Sequence, residues 1–180
     1  MWHHKSKKNS KEIVLVILPS IHNDCVEIIE NIIFLANNKD LRNINFKLKL
    51  HPDLNENNFN SLKKEFPNTL KFYKKELYFS FKITQLLIGN SSSALTEGLA
   101  CGIPVIVIGS RRGLTQNPIP KSINKKFWKL VFGEAQLLNA TKEFIKREGP
   151  ALIDENQQKS IKSNFFEPMN KTKIRRLLDF

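Results

Sequence analysis

Apolar residues in this chain come either in short unbroken runs or at helical spacing, and the two patterns alternate. Ile13 to Leu18 is continuously apolar and rich in Ile and Val, as in a strand buried on both faces. It stops at Pro19-Ser20. A helical stripe follows, made of Cys25, Ile28, Ile29, Ile32 and Ala36, with Asp24 and Glu27 spaced as a capping box. Asn45 to Leu50 reads as a second strand, in which Phe46, Leu48 and Leu50 alternate with Lys47 and Lys49; it ends at His51-Pro52. Phe59, Leu62 and Phe66 then fall at helical spacing and Pro67 closes that helix.

The pattern continues to the end of the chain. Leu70 to Tyr73 predicts a brief third strand and Glu76 to Ile83 a short helix. Gln85 to Ile88 is a fourth strand, followed by a serine-rich turn, a helix to Ala100, and a helix stop at Gly102 and Pro104. Val105 to Ile108 is the fifth strand. A loop with Pro118 and Pro120 leads to Phe127-Trp128, which the pattern assigns to packing the tail onto the domain. A helix from about Glu134 to Arg147 ends at Gly149-Pro150, and weaker helical patterns lie around Ile153 to Ile161 and Ile174 to Leu178. No internal repeat is present.

Strand alternating with helix predicts a single Rossmann-like, three-layer α/β domain with a parallel sheet of five or six strands. The domain would span residues 12–150, between a basic lead-in or linker (1–11) and a helical tail (151–180). In such sheets ligands bind beyond the carboxyl ends of the strands. The polar punctuation falls there: Ser20, His51, Lys74-Lys75, Gly89 to Ser93, and Gly109 to Arg112.

Composition changes this picture little. The fractions of apolar and charged residues are ordinary for a globular protein, and 180 residues suffice for a real core. No apolar run approaches a membrane-spanning length, and residues 1–11 contain no apolar leader. Cys25 and Cys101, inside predicted helices, read as small core residues, which fits a reducing cytoplasm. The net charge of +12 suggests anionic partners, but only six of the 29 basic residues are Arg. Specific nucleic-acid readout favours arginine forks, so scattered lysines on solvated faces are the simpler reading. A general attraction to nucleotides or to a membrane surface still follows.

The candidate chemistry centres on residues 89–97. Gly89 and Asn90 would allow a sharp turn; one of Ser91, Ser92 and Ser93 should cap the helix while the others donate to an anion. Glu97, one helical turn after Ser93, either accepts from ribose hydroxyls or complements the helix dipole. Pro52 holds His51 extended at the sheet edge, where its imidazole could donate to, or protonate, a phosphate oxygen. His22 is equally a solvated turn residue. Arg111 and Arg112 could clamp a sugar acid or a diphosphate, or be solvated. No metal-ligand spacing, phosphate-loop motif or serine nucleophile elbow occurs.

His51-Pro52, the run Gly89-Asn90-Ser91-Ser92-Ser93 with Glu97, and the following Gly102, Pro104, Val105 and Ile106 resemble the C-terminal domain of GT-B glycosyltransferases, closest to bacterial surface-polysaccharide enzymes. The resemblance covers about residues 11–148, its specific part being 86–109. It implies that His51 and Ser91 to Ser93 contact the phosphates of a CMP-, CDP- or UDP-linked sugar, that Glu97 holds the ribose, and that no metal or other cofactor is needed. It also implies half an enzyme, lacking the N-terminal acceptor domain or a partner subunit, inactive alone, and working in the cytoplasm at the inner face of a membrane. The same stretch is similar to UDP-N-acetylglucosamine 2-epimerases, a second reading that Gly98 argues against, since a further carboxylate would suit acid–base work there. A non-catalytic basic nucleotide- or nucleic-acid-binding protein is a third.

Overall fold

Each apolar run becomes a strand, and the strands lie side by side in one sheet. In the computed structural model, which describes residues 13–111, 113–146, 153 and 155–166, these are β1 (Ile13–Ile17), β2 (Asn45–Lys49), β3 (Leu70–Phe72), β4 (Leu86–Gly89) and β5 (Val105–Ile108). A sixth, β6 (Trp128–Val131), pairs with β5. All five pairings are parallel and the order is β3-β2-β1-β4-β5-β6. This is the doubly wound order, reversing between β1 and β4.

The helices are α1 (His22–Ala36), α2 (Asn60–Lys63), α3 (Leu77–Phe81), α4 (Ala94–Ala100), α5 (Glu134–Lys146) and α6 (Glu155–Phe165). Because side chains alternate along a strand, the sheet builds two cores. Val14, Val16, Phe46, Leu48, Leu86, Ile88, Ile106 and Ile108 face α1 and α5, with Phe59 just ahead of α2. Leu15, Ile17, Leu87, Val105, Val107 and Trp128 face α3, α4 and α6. The single three-layer α/β domain expected from the pattern is therefore present. No helix among the described residues is long and apolar enough to cross a membrane.

Several local readings change. The Asp24–Glu27 pair is no capping box: α1 starts two residues before Asp24, its N-cap is Ile21, and no side chain caps it. The helix expected over Phe59 to Phe66 is a 3₁₀ turn (Glu56–Phe59), capped by Asn55 and Asn58 reciprocally, followed by the four-residue α2. Phe127 and Trp128 are buried, with Trp128 opening β6, and the Trp128 indole donates to the Ile123 carbonyl at 3.2 Å. The pattern around Ile153 to Ile161 becomes α6, which packs on α4 and buries Ile161. The pattern around Ile174 to Leu178 lies outside the described residues.

The cysteines separate. Cys25 is buried and its thiol donates to the Pro19 carbonyl at 3.1 Å. Cys101 is exposed at the end of α4 rather than in the core. Burial, and then the neighbouring Asp24 charge, push the Cys25 thiol up to about 12. Its proton is thus held in the fold and released more easily on unfolding, so Cys25 contributes stability that falls as pH rises from about 9 towards about 12. A thiol reagent at neutral pH should modify Cys101 in the native protein and Cys25 only on unfolding; equal native rates would contradict this burial.

Gly102 ends α4 with φ of 86°, a conformation costly for any residue with a Cβ. Its amide donates to Leu99 and that of Ile103 to Gly98, the paired bonds of a Schellman stop. Gly102→Ala should destabilise the domain by about 1–2 kcal/mol in chemical denaturation. An unchanged midpoint would show that the stop is not strained.

Candidate functional site

The gap between β1 and β4 is where this fold opens. The chain leaves β1 towards α1 on one face and leaves β4 towards α4 on the other, so the two exit segments diverge. Ser20 stands exposed at the first exit and residues 90–93 form the second. The backbones run close here. A Cβ on Gly89 would lie 3.0 Å from the Ile17 carbonyl oxygen, a tight contact that glycine avoids where the backbone approaches β1. Its φ is not positive, contrary to the turn conformation expected of it.

The turn assigns its serines different tasks. Asn90 Oδ1 accepts from the Ser91 amide at 2.6 Å and from the Ser91 hydroxyl at 3.2 Å, so the side chains of Asn90 and Ser91 shape the turn itself. Ser92 Oγ accepts from the Ala94 amide at 3.3 Å, which makes it the residue that tethers the helix start. Ser93 occupies the N-cap position with helical dihedrals and makes no side-chain cap. Ser93 is exposed and Ser92 half-buried, and each hydroxyl keeps a rotatable proton to donate. With seven residues, α4 adds little dipole, so hydroxyls and turn amides are the main donors. Glu97 is half-buried one turn on and forms no ion pair among the described residues.

His51 lies beyond β2, next to β1 in the sheet. Its carbonyl accepts from Leu54 at 3.0 Å in a tight turn, while Nδ1 accepts from the Asp53 amide at 3.3 Å. The Asp53 carboxylate also stands 3.3 Å from Nδ1. With Nδ1 accepting, Nε2 is the donating nitrogen of the neutral ring. His51 lines a cavity of about 460 Å³ at the ends of β2 and β3, together with Lys49, Asn55, Glu56, Tyr73 and Lys74. These additional lining residues were not singled out from the sequence; only Lys74 was noted as strand-end punctuation. His22 stands away from it, its ring edge-on to Phe59 at 4.9 Å.

The β5 exit is organised by a long-range contact. Glu27 Oε1 accepts the backbone amide of Arg111 at 3.0 Å, tying α1 to the loop after β5. The Arg111 guanidinium lies over Gly133, on the β6 side of the mouth. Arg112 lies outside the described residues. Topology thus brings Ser20, the serine turn and His51 to adjacent strand ends, with Glu97 on the helix behind the turn and Arg111 further along the edge. Among the described residues no three metal-ligating side chains cluster. Glu27→Ala should free the 110–116 loop and speed its amide exchange, while Glu27→Gln, which keeps an acceptor, should not; equal exchange in both would show that the tie does not hold the loop.

No family profile and no curated protein matches the chain. Solved structures do. The Anabaena protein HepE, crystallised with UDP and glucose, superposes with a TM-score of 0.63 at 13% identity over 94% of this chain and 47% of its own. The fold is that of one half of a GT-B protein. UDP-GlcNAc 2-epimerase from Neisseria meningitidis, bound to UDP-GlcNAc, follows at 0.59 and 17% identity, over 86% of this chain and 39% of its own. A glycosyltransferase of kitacinnamycin gives 0.60 at 13% identity, over 88% and 40%. The chain spans about two-fifths to half the length of these three.

Proposed function

We propose that this GT-B half holds the nucleotide of an activated sugar at the carboxyl ends of β1 and β4, as the donor side of a glycosyltransferase that uses no metal. The observation that carries the reading is the serine turn at the strand-order reversal, with two unspent hydroxyls and His51 two strands away, across β1. Ser92 and Ser93 would donate to the phosphates, and His51 through Nε2. Glu97 would accept from the ribose. Fixed donors around a departing nucleoside phosphate stabilise charge as it develops, and His51 can supply a proton to it. That glycosyltransferases of known structure share the fold, HepE with UDP bound, supports the reading.

The acceptor and the catalytic base would come from an N-terminal domain or partner subunit, so the chain alone should bind and not transfer. A CMP-, CDP- or UDP-linked donor suits the site, and surface polysaccharide synthesis in a bacterial cytoplasm suits the resemblance.

The epimerase reading shares the fold and gains from one correction. A Cβ on Gly98 would fall 1.9 Å from Leu87 Cδ1, so position 98 faces the sheet. A carboxylate there could not reach the cleft, and its absence does not separate the two enzymes. Release of free UDP from UDP-N-acetylglucosamine without an acceptor, once the other half is supplied, would favour the epimerase class.

Calorimetric titration with CMP, CDP and UDP tests the binding claim. Loss of two charge-assisted hydrogen bonds of about 1.5 kcal/mol each predicts about 100-fold weaker binding for Ser92→Ala with Ser93→Ala. Binding unaltered by that pair would refute the site, and sugar transfer by the purified chain would refute the half-enzyme.

A further inference from the structure

The two helix layers cover the sheet unequally. The first core reaches every strand, through Phe46 and Leu48 of β2 and Leu70 of β3. The second stops at β1, and beyond it only Tyr73, just past β3, packs against that core. In the register of the sheet, Leu15 lies beside Lys47, and Lys47 beside Lys71. Ile17 lies beside Lys49 on the same face. Where the second core would continue, the sheet carries a lysine row.

Such a row is held at a cost, because like charges directly opposite on neighbouring strands are destabilising. Burial first, then Lys71 and Lys75, hold the Lys47 ammonium below the usual lysine range. Its Nζ stands 4.2 Å from the centroid of the Tyr73 ring. None of Lys47, Lys49, Lys71 and Lys75 forms an ion pair among the described residues. On the same side of the sheet, α3 presents Tyr78 and Phe79, 54% and 52% exposed. Lys82 Nζ stands 4.9 Å and 5.4 Å from their ring centroids.

We propose that this face, the lysine row of β2 and β3 with the aromatic pair of α3, docks the domain on an anionic lipid bilayer. Lys71 is exposed and Lys47 and Lys49 are half-buried, and a row of ammonium groups along neighbouring strands suits a plane of headgroups rather than one small ligand. The row is lysine throughout, with point charges that sum against a diffuse negative potential instead of forking onto single phosphates. Exposed aromatics beside cations have the composition of a membrane–water boundary. The contact would be peripheral, and it does not depend on what the strand-end site binds.

The test is co-sedimentation of the full chain with vesicles of phosphatidylglycerol and phosphatidylcholine, against phosphatidylcholine alone. Since each lysine near an anionic surface is worth about fivefold, Lys47→Gln with Lys71→Gln and Lys75→Gln should weaken binding by about 100-fold. A control of equal charge loss elsewhere, Lys121→Gln with Lys125→Gln and Lys159→Gln, should weaken it less than about threefold. Tyr78→Ser with Phe79→Ser should weaken what binding persists at raised salt. The melting temperature of the lysine variant should stay level or rise, because it relieves repulsion. Equal losses in the face and control variants would overturn the proposal, as would equal binding to both vesicle types or none to either. So would binding of a single-stranded oligonucleotide, in preference to vesicles, that the same face variant abolishes.

Discussion

The structure turns on β1 and β4 lying against each other although the chain reaches their other neighbours in opposite directions. β1 leads out through α1 to β2 and β3; β4 leads through α4 to β5 and β6. Both strands are apolar on both faces, which only the centre of a doubly covered sheet can satisfy. Their exits must then diverge, one to each face, and a crevice is left between them. Gly89 lets the backbones close to where a Cβ would stand 3.0 Å from a carbonyl. The candidate site follows from that packing rather than from any one side chain.

What the crevice does with its position depends on how little of its polar equipment is spent internally. Asn90 and Ser91 satisfy each other, and Ser92 holds the helix start as an acceptor while keeping a proton to give. His51 uses Nδ1 on its own turn and keeps Nε2 free of any bond among the described residues. Glu27 is committed to the loop after β5, so it steadies the mouth without competing for ligand. As donors and acceptors fixed in place, these groups suit binding and charge stabilisation.

The parts legible in the sequence were those whose signal is local. Unbroken β-branched runs such as Ile13 to Leu18 read as buried strands, and Gly102 before Pro104 reads as a helix stop. β6 was hidden because it is four residues long, contains Lys129, and follows a polar loop. Asp24 and Glu27 mimicked a cap because spacing alone cannot show that Ile21 begins the helix. The Glu27 bond to Arg111 joins residues 84 apart and leaves no local trace. The alternation of Lys47 and Lys49 with Phe46 and Leu48 did carry information: among the described residues, helices cover β2 on one face alone. Lys71, beside Lys47 in the register, extends the row across to β3.

The most direct measurement of the central claim is amide shift mapping of the isotope-labelled chain during titration with UDP, CDP and CMP. The account predicts that at least one of them moves the amides of residues 19–22 and 89–94 together with those near His51, saturating as a single site, while Lys47 and Lys71 stay still. Shifts confined to the lysine row, or spread evenly over exposed lysines and erased by moderate salt, would contradict it and leave the crevice between β1 and β4 without a ligand.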